Sequence, residues 1–374
     1  MKQPAAESTS PKNTLDQQAL SQWLNRNLAP DGEVRILSSK VPATGYSALT
    51  VLLDVEIEQG GSTTRGELVL RLEIPGKHVF LDTDIARQGQ MMSALSRFGI
   101  PVPQVLAVES DTSILGGKFL LMDRVEGVSL PQSPNYHQAG LLTELDAGGR
   151  SRLWIDAVST IARINMLNWR DGFEFLNRPQ YGEPGLDQYL GWIVAWRDEA
   201  MENQPNPIID KAIARLLERQ PHNRHVNVLW GDSNPGNYLF SSSGSVVAVL
   251  DFEAAALGPA EIDLAWWFFM DEMLSFGQQR QSGLPEKREQ IALFEAIIGR
   301  PVADLEYFEL LAAVRIALVI ARTANVLIKA GKLPASNKTA LYNPAAQLLA
   351  MRLGIEGGEA GEDYAAFGAV MNDR

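Results

Sequence analysis

Cysteine is absent from the 374-residue sequence, which excludes disulfide bonds, thiolate metal sites and cysteine nucleophiles. Basic residues are also scarce, because 33 Lys and Arg stand against 45 Asp and Glu, for a formal net charge of −12. Nucleic-acid binding requires a basic surface, so the composition argues against that class of partner. The hydrophobic content of 45% is sufficient for a sizeable core. These features predict a globular protein, and the lack of cysteine fits a reducing cytoplasm.

Long uninterrupted apolar segments are lacking as well. The most apolar stretch, LLAAVRIALVIARTANVLI, contains Arg315 and Arg322, which favours a buried helix over a membrane span. The N-terminal sequence MKQPAAESTSPKN is polar and has no apolar region typical of a secretory signal, and we expect residues 1–13 to be disordered. We therefore expect a cytoplasmic protein without a membrane partner, present as a monomer or a homodimer.

The predicted secondary-structure elements divide the chain into two lobes. A helix near the N-terminus is followed by three β-rich segments, a helix in DTDIARQGQMMSALSRFGI, and two further strands. We predict that residues 1–125 form a lobe with a five-stranded antiparallel sheet. Residues 126–374 are predicted to form a larger helical lobe, interrupted by one hairpin in which SSSG joins NYLF to VVAVLDF. The predicted fold class is α+β.

The hairpin brings together oxygen-bearing side chains. VLWGDSNPGNYLF places Asp232 and Asn237 in one loop, and VVAVLDF contains Asp251 at its end. Antiparallel pairing sets Asp251 beside Asn237, because neighbouring strands lie roughly 5 Å apart. Such oxygen ligands suit Mg²⁺, and kinase-type phosphoryl transfer needs an Asp for the acceptor hydroxyl together with an Asn and an Asp for the metal. Any one of these residues also fits an ordinary turn, so it is the ordered set that supports a site.

The sequence WGDSNPGN followed by LDFEAAALGPAEIDLAW resembles the aminoglycoside phosphotransferase family, whose fold is protein-kinase-like. The resemblance covers about residues 45–354 and is strongest between residues 228 and 267. It implies that Asp232 is the catalytic base, that Asn237 and Asp251 bind Mg²⁺, and that Asp263 ties down the catalytic loop. It further implies ATP as the phosphate donor, with GTP as an alternative.

By the same resemblance, the sheet lobe holds the nucleotide. Arg71 in LVLRLE takes the position of the strand lysine that contacts the α- and β-phosphates, although a solvated charge on an amphipathic strand is the alternative. Gly45 and Ser47 in GYSALT take the phosphate-loop position, which an ordinary turn fits equally well. The segment LLMDRV corresponds to the hinge, where backbone groups of Asp123, Arg124 and Val125 would contact adenine.

Three residues depart from the family pattern. Trp230 replaces the His before the catalytic Gly-Asp, and Asn165 stands where the family often has His. Gln88 replaces the Glu that pairs with the strand cation, and Asp82 or Asp84 is a candidate to compensate for the lost charge. These departures place the sequence nearer to uncharacterised bacterial phosphotransferases, a group that includes relatives of the kinase domains fused to acyl-CoA dehydrogenases.

The acceptor pocket is predicted in the helical lobe. Trp192, Trp196, Trp267 and Asp271 are its candidate residues, although the tryptophans at helical spacing also fit a core. A lobe rich in tryptophan favours an amphipathic or apolar hydroxyl substrate over a polycationic sugar.

The sequence therefore predicts an ATP-dependent, Mg²⁺-assisted O-phosphotransferase that acts on a small-molecule hydroxyl. The acceptor is left open between an aminoglycoside-like antibiotic, a hydroxyacyl-CoA and another metabolite alcohol. One alternative is a catalytically weak relative that binds nucleotide and regulates, since the usual Glu is missing. A helical binding protein with a chance motif is the remaining alternative.

Overall fold

The computed structural model describes residues 15–42, 48–74, 78–222 and 225–372. Gly45, Ser47 and the segment 1–13 lie outside these residues, so their predicted roles remain predictions.

The first part of the described chain forms the sheet lobe. Its elements are α1 (Gln17–Leu28), β1 (Glu33–Lys40), β2 (Ala48–Gln59), β3 (Ser62–Glu73), α2 (Ile85–Arg97), β4 (Val105–Glu109) and β5 (Phe119–Asp123). The five strands lie in the order β1-β2-β3-β5-β4, and every neighbouring pair is antiparallel. The α+β class and the five-stranded antiparallel sheet are therefore confirmed.

Local signals explain where the elements of the sheet lobe begin and end. The β2–β3 hairpin turns at Gly60 and Gly61, whose φ angles of 60° and 79° suit glycine. Asp84 caps α2 by accepting a hydrogen bond from the backbone N–H of Ala86. Along β3, alternate side chains are buried, which packs one face of the sheet against α1.

The second part of the described chain is mainly helical. Its helices are α3 (Leu141–Glu144), α4 (Ala147–Asn165), α5 (Leu186–Ala200), α6 (Pro207–Glu218), α7 (Glu261–Leu274), α8 (Lys287–Ile298), α9 (Leu305–Lys329), α10 (Pro344–Leu353) and α11 (Glu362–Asn372). Four short strands lie between α6 and α7, namely β6 (Asn227–Leu229), β7 (Tyr238–Phe240), β8 (Val246–Val249) and β9 (Ala256–Gly258). The predicted hairpin is β7–β8, whereas the β6–β9 pair and α11 were not predicted from the sequence.

Helix α9 forms the centre of the helical lobe. It is long and apolar enough to cross a membrane by length and composition alone, but 67% of its most apolar window is buried inside the protein. Arg315, near its middle, is fully buried. The segment packs as the buried core helix that its interrupting arginines indicate.

Residues 78–81, which precede α2, insert into the helical lobe. Val79 and Phe80 are buried in the large core of that lobe. The indole Nε1 of Trp196 donates a hydrogen bond to the carbonyl oxygen of Val79 at 2.9 Å, and that of Trp192 donates to Leu81 O at 3.2 Å. Trp192 and Trp196 are 1% and 0% exposed, so the structure contradicts their predicted place in an acceptor pocket. Their helical spacing reflects core packing between the lobes.

Candidate active site

The catalytic-loop candidate spans residues 230–237, between β6 and β7. Gly231 adopts φ +88°, and a Cβ at this position would lie 2.1 Å from the carbonyl oxygen of Ala254. Glycine is therefore required for the close approach of the two backbone segments. The side chain of Asn234 then accepts a hydrogen bond from Gly236 N at 2.9 Å, which closes a local turn. These contacts present Asp232 at the end of the hairpin.

Asp232 accepts hydrogen bonds on both of its carboxylate oxygens. Oδ1 accepts from Trp266 Nε1 at 2.7 Å and from Asn234 Nδ2 at 2.9 Å, and Oδ2 accepts from Asn237 Nδ2 at 2.8 Å. Burial raises the pKa of Asp232 above its ordinary value, and the nearby charge of Asp251 raises it further, while the donors lower it. The result is a carboxylate that is held in place and favoured as a proton acceptor.

The hairpin brings Asn237 and Asp251 to the same end of the site. Tyr238 pairs with Val249, and Leu250 N donates a hydrogen bond to Asn237 O at 2.9 Å. Because the Asn237 amide nitrogen donates to Asp232, its Oδ1 is the atom left to bind a metal. The structure thus brings together the three side chains that the spacing predicts.

Arg71 faces this group from the sheet lobe. Its Nη2 lies 3.8 Å from Asp251 Oδ1, which is longer than a hydrogen bond. Arg71 Nε and Asp251 Oδ1 are both buried and have no hydrogen-bond partner among the residues that the structure describes. Buried polar atoms normally find partners. An oxygen donor set opposite a spare guanidinium group fits a metal ion with its bound phosphates.

Among the described residues, Gln88 makes no hydrogen bond to Arg71. It is buried and lines a small cavity, together with residues such as His78 and Thr83. Asp82 instead accepts a hydrogen bond from a tyrosine of the helical lobe, and Asp84 caps α2. The expected support of the strand cation by Gln88, Asp82 or Asp84 is thus not observed. Within the described ranges, the carboxylate paired with Arg71 is that of the metal-ligand candidate in the hairpin.

Asp263, near the start of α7, holds the catalytic loop from behind. Its carboxylate accepts hydrogen bonds from Trp230 N at 2.8 Å, Gly231 N at 2.9 Å and Asn165 Nδ2 at 2.8 Å. The side chain is fully buried, and this burial raises its pKa while the donors lower it. Its hydrogen bonds join the catalytic loop to α4, which supports a structural role. Asn165, at the position of a family His, is part of this network.

Trp230 connects the catalytic loop to the metal-ligand candidate. Its Nε1 donates to Leu250 O at 2.9 Å and to Asp251 O at 3.2 Å, and the side chain is fully buried. The indole therefore orients the backbone at Asp251, where φ is +60°. Trp230 thus supplies a donor that links the two motifs.

The hinge segment offers fewer backbone groups than expected. Asp123 N donates to Gln104 O at 3.0 Å, and Arg124 N donates to Glu67 O at 2.9 Å. Both N–H groups are therefore used within the sheet, so the prediction must be corrected for them. The carbonyl of Asp123 and the backbone of Val125 remain as candidates for adenine contacts.

Two residues of the predicted acceptor pocket lie on α7. Trp267 is fully buried and its Nε1 donates to Gln290 Oε1 at 2.8 Å, so it belongs to the core, which corrects the prediction. Asp271 is partly exposed and accepts a hydrogen bond from Tyr136 Oη at 2.7 Å. In the described structure, Trp266 of α7 donates a hydrogen bond to Asp232, a role that the sequence analysis did not assign to it. Its only signal was its position one turn after Asp263.

The sheet lobe and the larger helical lobe together have a protein-kinase-like architecture. A sequence profile described as the phosphotransferase enzyme family (APH) matches residues 40–294. Because this match covers more than half of the chain, the protein belongs to that family.

Curated relatives include much longer proteins. The chain is 26% identical over 295 residues to acyl-CoA dehydrogenase family member 11 of Homo sapiens, covering 76% of this chain and 36% of that protein. It is 27% identical over 203 residues to acyl-CoA dehydrogenase family member 10 of Mus musculus, covering 54% of this chain and 18% of that protein. The chain thus spans about a third or less of these relatives.

Solved structures with the same fold include known antibiotic phosphotransferases. A putative aminoglycoside phosphotransferase from Ralstonia eutropha has a TM-score of 0.63 and 22% identity, over 96% of this chain and 99% of that chain. The GDP complex of an aminoglycoside 2'-phosphotransferase has a TM-score of 0.56 and 13% identity, over 91% and 99% of the two chains. Macrolide 2'-phosphotransferase type I has a TM-score of 0.53 and 14% identity, over 92% and 100%. At 13–22% sequence identity, these comparisons establish a shared fold and nothing beyond it.

Proposed function

We propose that this protein transfers the γ-phosphoryl group of ATP to a hydroxyl group of a small molecule. The observation that carries the proposal is the convergence of Asp232, Asn237 and Asp251 opposite Arg71, with buried polar atoms of Arg71 and Asp251 left without hydrogen bonds among the described residues. Membership of the phosphotransferase family supports the class of reaction.

Asp232 is the proposed catalytic base. The acceptor hydroxyl oxygen forms a bond to the γ-phosphorus, the bond between that phosphorus and the β–γ bridging oxygen breaks, and ADP leaves. The hydroxyl proton passes to Asp232, whose raised pKa favours its acceptance. Asn234 and Asn237 hold the carboxylate, so that positioning supplies a large share of the catalysis.

Asn237 and Asp251 are the proposed ligands for Mg²⁺, through the amide Oδ1 and the carboxylate. When bound, the ion would neutralise negative charge on the β- and γ-phosphates. Arg71 would donate hydrogen bonds to the α- and β-phosphates, which its spare Nε makes possible. A protein with the same fold was solved in complex with GDP, which supports GTP as the alternative phosphate donor.

The acceptor is proposed to be a metabolite alcohol, with hydroxyacyl-CoA compounds as the first class to test. The curated relatives are named as acyl-CoA dehydrogenase family members, which supports this order of testing. Aminoglycoside-like and macrolide antibiotics are the second class to test. Proteins with the same fold are named as phosphotransferases for these antibiotics. A nucleotide-binding regulatory protein with little turnover is the alternative to both.

The first experiment is a thermal-shift titration with ATP and GTP, each with and without Mg²⁺, on the wild type and on Asp251→Asn. A ligand that binds the native state stabilises it by mass action, by about 2.7 kcal/mol when the ligand is at one hundred times its Kd. This stabilisation raises Tm. We expect a Mg²⁺-dependent rise in the wild type that is lost in the variant. Absence of any shift with either nucleotide would contradict the proposal.

A second experiment separates an enzyme from a regulatory binder. Phosphorus NMR would follow ATP and the phosphorylated product in mixtures with hydroxyacyl-CoA compounds, with antibiotics, and with water alone. Transfer that is lost in Asp232→Ala supports the proposed function. Nucleotide binding without turnover on any acceptor would favour the regulatory alternative.

A further inference from the structure

A tryptophan of the helical lobe contacts the proposed catalytic base directly. Trp266 lies in α7, is 2% exposed, and donates from Nε1 to Asp232 Oδ1 at 2.7 Å. This distance is that of a strong, charge-assisted hydrogen bond. The indole nitrogen is a donor only, so it can hold the carboxylate oxygen but cannot exchange a proton with substrate as a base.

The two oxygens of Asp232 are not equivalent. Oδ1 accepts two hydrogen bonds, from Trp266 and from Asn234 at 2.9 Å. Oδ2 accepts one side-chain hydrogen bond, from Asn237 at 2.8 Å. A carboxylate has about four lone-pair sites, two on each oxygen. Oδ1 is therefore saturated by the protein, whereas Oδ2 retains a site for a further donor.

Arg315 of α9 holds the indole in position. Its guanidinium carbon lies 4.0 Å from the centroid of the Trp266 ring, and its Nη2 donates to the carbonyl oxygen of Gly231. Arg315 is fully buried, and its Nε and Nη1 have no hydrogen-bond partner within the described ranges. A buried cation stacked on the ring restricts the indole, and it contacts the backbone next to the residue that the indole holds.

We propose that Trp266 is a positioning residue for Asp232. By completing the hydrogen bonds of Oδ1, it fixes the carboxylate and leaves Oδ2 as the oxygen that receives the proton of the acceptor hydroxyl. This inference rests on the proposed function, because it assigns a role within the same site.

Trp267 supplies a matched control on the same helix. It is fully buried like Trp266, and it also donates its indole N–H to a side-chain oxygen, that of Gln290 at 2.8 Å. The two tryptophans are neighbours of similar burial, but only Trp266 contacts Asp232 in the described structure. Replacing each by Phe removes one indole donor from the core in both cases.

The contact can be tested without turnover by following the indole N–H resonances of the eight tryptophans in ¹⁵N-labelled protein. In Asp232→Ala the Trp266 resonance should shift upfield by more than any other, because it loses its carboxylate partner, while the Trp267 resonance stays in place. A Trp266 resonance that does not move in this variant would overturn the proposal. The measurement retains all the tryptophans, so it does not depend on whether Trp266→Phe folds.

The functional arm uses MgATP with water as the acceptor. We expect Trp266→Phe to lower kcat roughly tenfold, less than the loss of the base itself because Asp232 is retained, with KM for MgATP unchanged. Trp267→Phe should keep the wild-type kcat. A folded Trp266→Phe with wild-type kcat would overturn the inference. A wild type that never turns over ATP, with a Trp266 resonance that does respond to Asp232→Ala, would count against the proposed function and not against the contact.

Discussion

The two ends of the candidate site differ in how their polar groups are satisfied. At the catalytic-loop end, Asp263 and Asp232 each accept three side-chain or backbone hydrogen bonds from the protein. At the sheet-lobe end, Arg71 and Asp251 lie 3.8 Å apart, and each has a buried atom without a hydrogen-bond partner in the part of the chain that is described. Since native proteins satisfy most buried polar groups, the difference separates groups whose hydrogen bonds are complete from groups that can still bind a ligand.

Asp251 and Asp263 allow a direct comparison of the two ends of the site, because both are aspartates that follow the same hairpin. The side chain of Asp251 is 29% exposed, whereas Asp263 is fully buried. The carboxylate oxygens of Asp263 are bonded to the catalytic loop and to α4. If the comparison is right, removing Asp251 affects ligand binding and catalysis, and removing Asp263 affects folding.

The largest expected effect is that of Asp251→Asn on the rate of phosphoryl transfer. We expect loss of phosphoryl transfer by on the order of 10³-fold, because a principal charge opposite the phosphates is removed. The free energy of unfolding should stay within about 0.5 kcal/mol of the wild type, since few protein contacts are lost. Initial rates of ADP release and urea unfolding measure the two quantities. Asp171→Asn, an exposed carboxylate elsewhere in the helical lobe, is the control and should change neither.

Asp263→Ala should have the opposite pattern. Three buried donors lose their acceptor, and each unsatisfied group costs about 1–3 kcal/mol, so we expect a loss of roughly 3 kcal/mol or more. Urea unfolding followed by tryptophan fluorescence gives the free energy of unfolding. Asp251→Asn serves as the control with nearly unchanged stability, because Asn also tolerates the φ of +60° at this position. Equal stabilities of the two variants would remove the distinction between the two ends of the site.

Arg71 tests the ligand-facing end from the sheet lobe. Arg71→Met should raise KM for the nucleotide roughly tenfold, which corresponds to about 1.4 kcal/mol and to the loss of a charge-assisted hydrogen bond. Arg71→Lys retains the charge without the planar fork and should show a smaller rise. Steady-state kinetics with varied ATP measures both. A KM that is unchanged in Arg71→Met would identify the arginine as a solvated strand charge.

The smallest expected effect is that of Trp230→Phe. The indole hydrogen bond to the backbone at Leu250 and Asp251 is lost, which should cost about 1 kcal/mol of stability. Thermal and urea unfolding measure the change. Trp230→His places the family residue at this position and should recover part of the loss by supplying a ring N–H. A Trp230→Phe variant as stable as the wild type would show that this link between the motifs is dispensable.

Local features were the part of this protein that could be predicted from its sequence. The period-two strands, the helix caps and the β7–β8 hairpin depend on neighbouring residues, and they bring Asn237 beside Asp251 whatever surrounds them. The ordered motif around Asp232 was sufficient to indicate the family. The inserted helix α2 was likewise predictable from its sequence.

Only the tertiary structure decided which side of each helix faces the site. Tryptophans often line binding pockets, but three of them are buried here. Trp192 and Trp196 pack between the lobes, and Trp267 packs against α8. Trp266 meets Asp232 because the helical lobe packs α7 against the catalytic loop, and a one-residue difference along a helix turns a side chain by about 100°. Sequence by itself determined the elements and the order of the motif, since these depend on local geometry. The partners of each indole and of Arg71 were set by contacts between residues far apart in the chain.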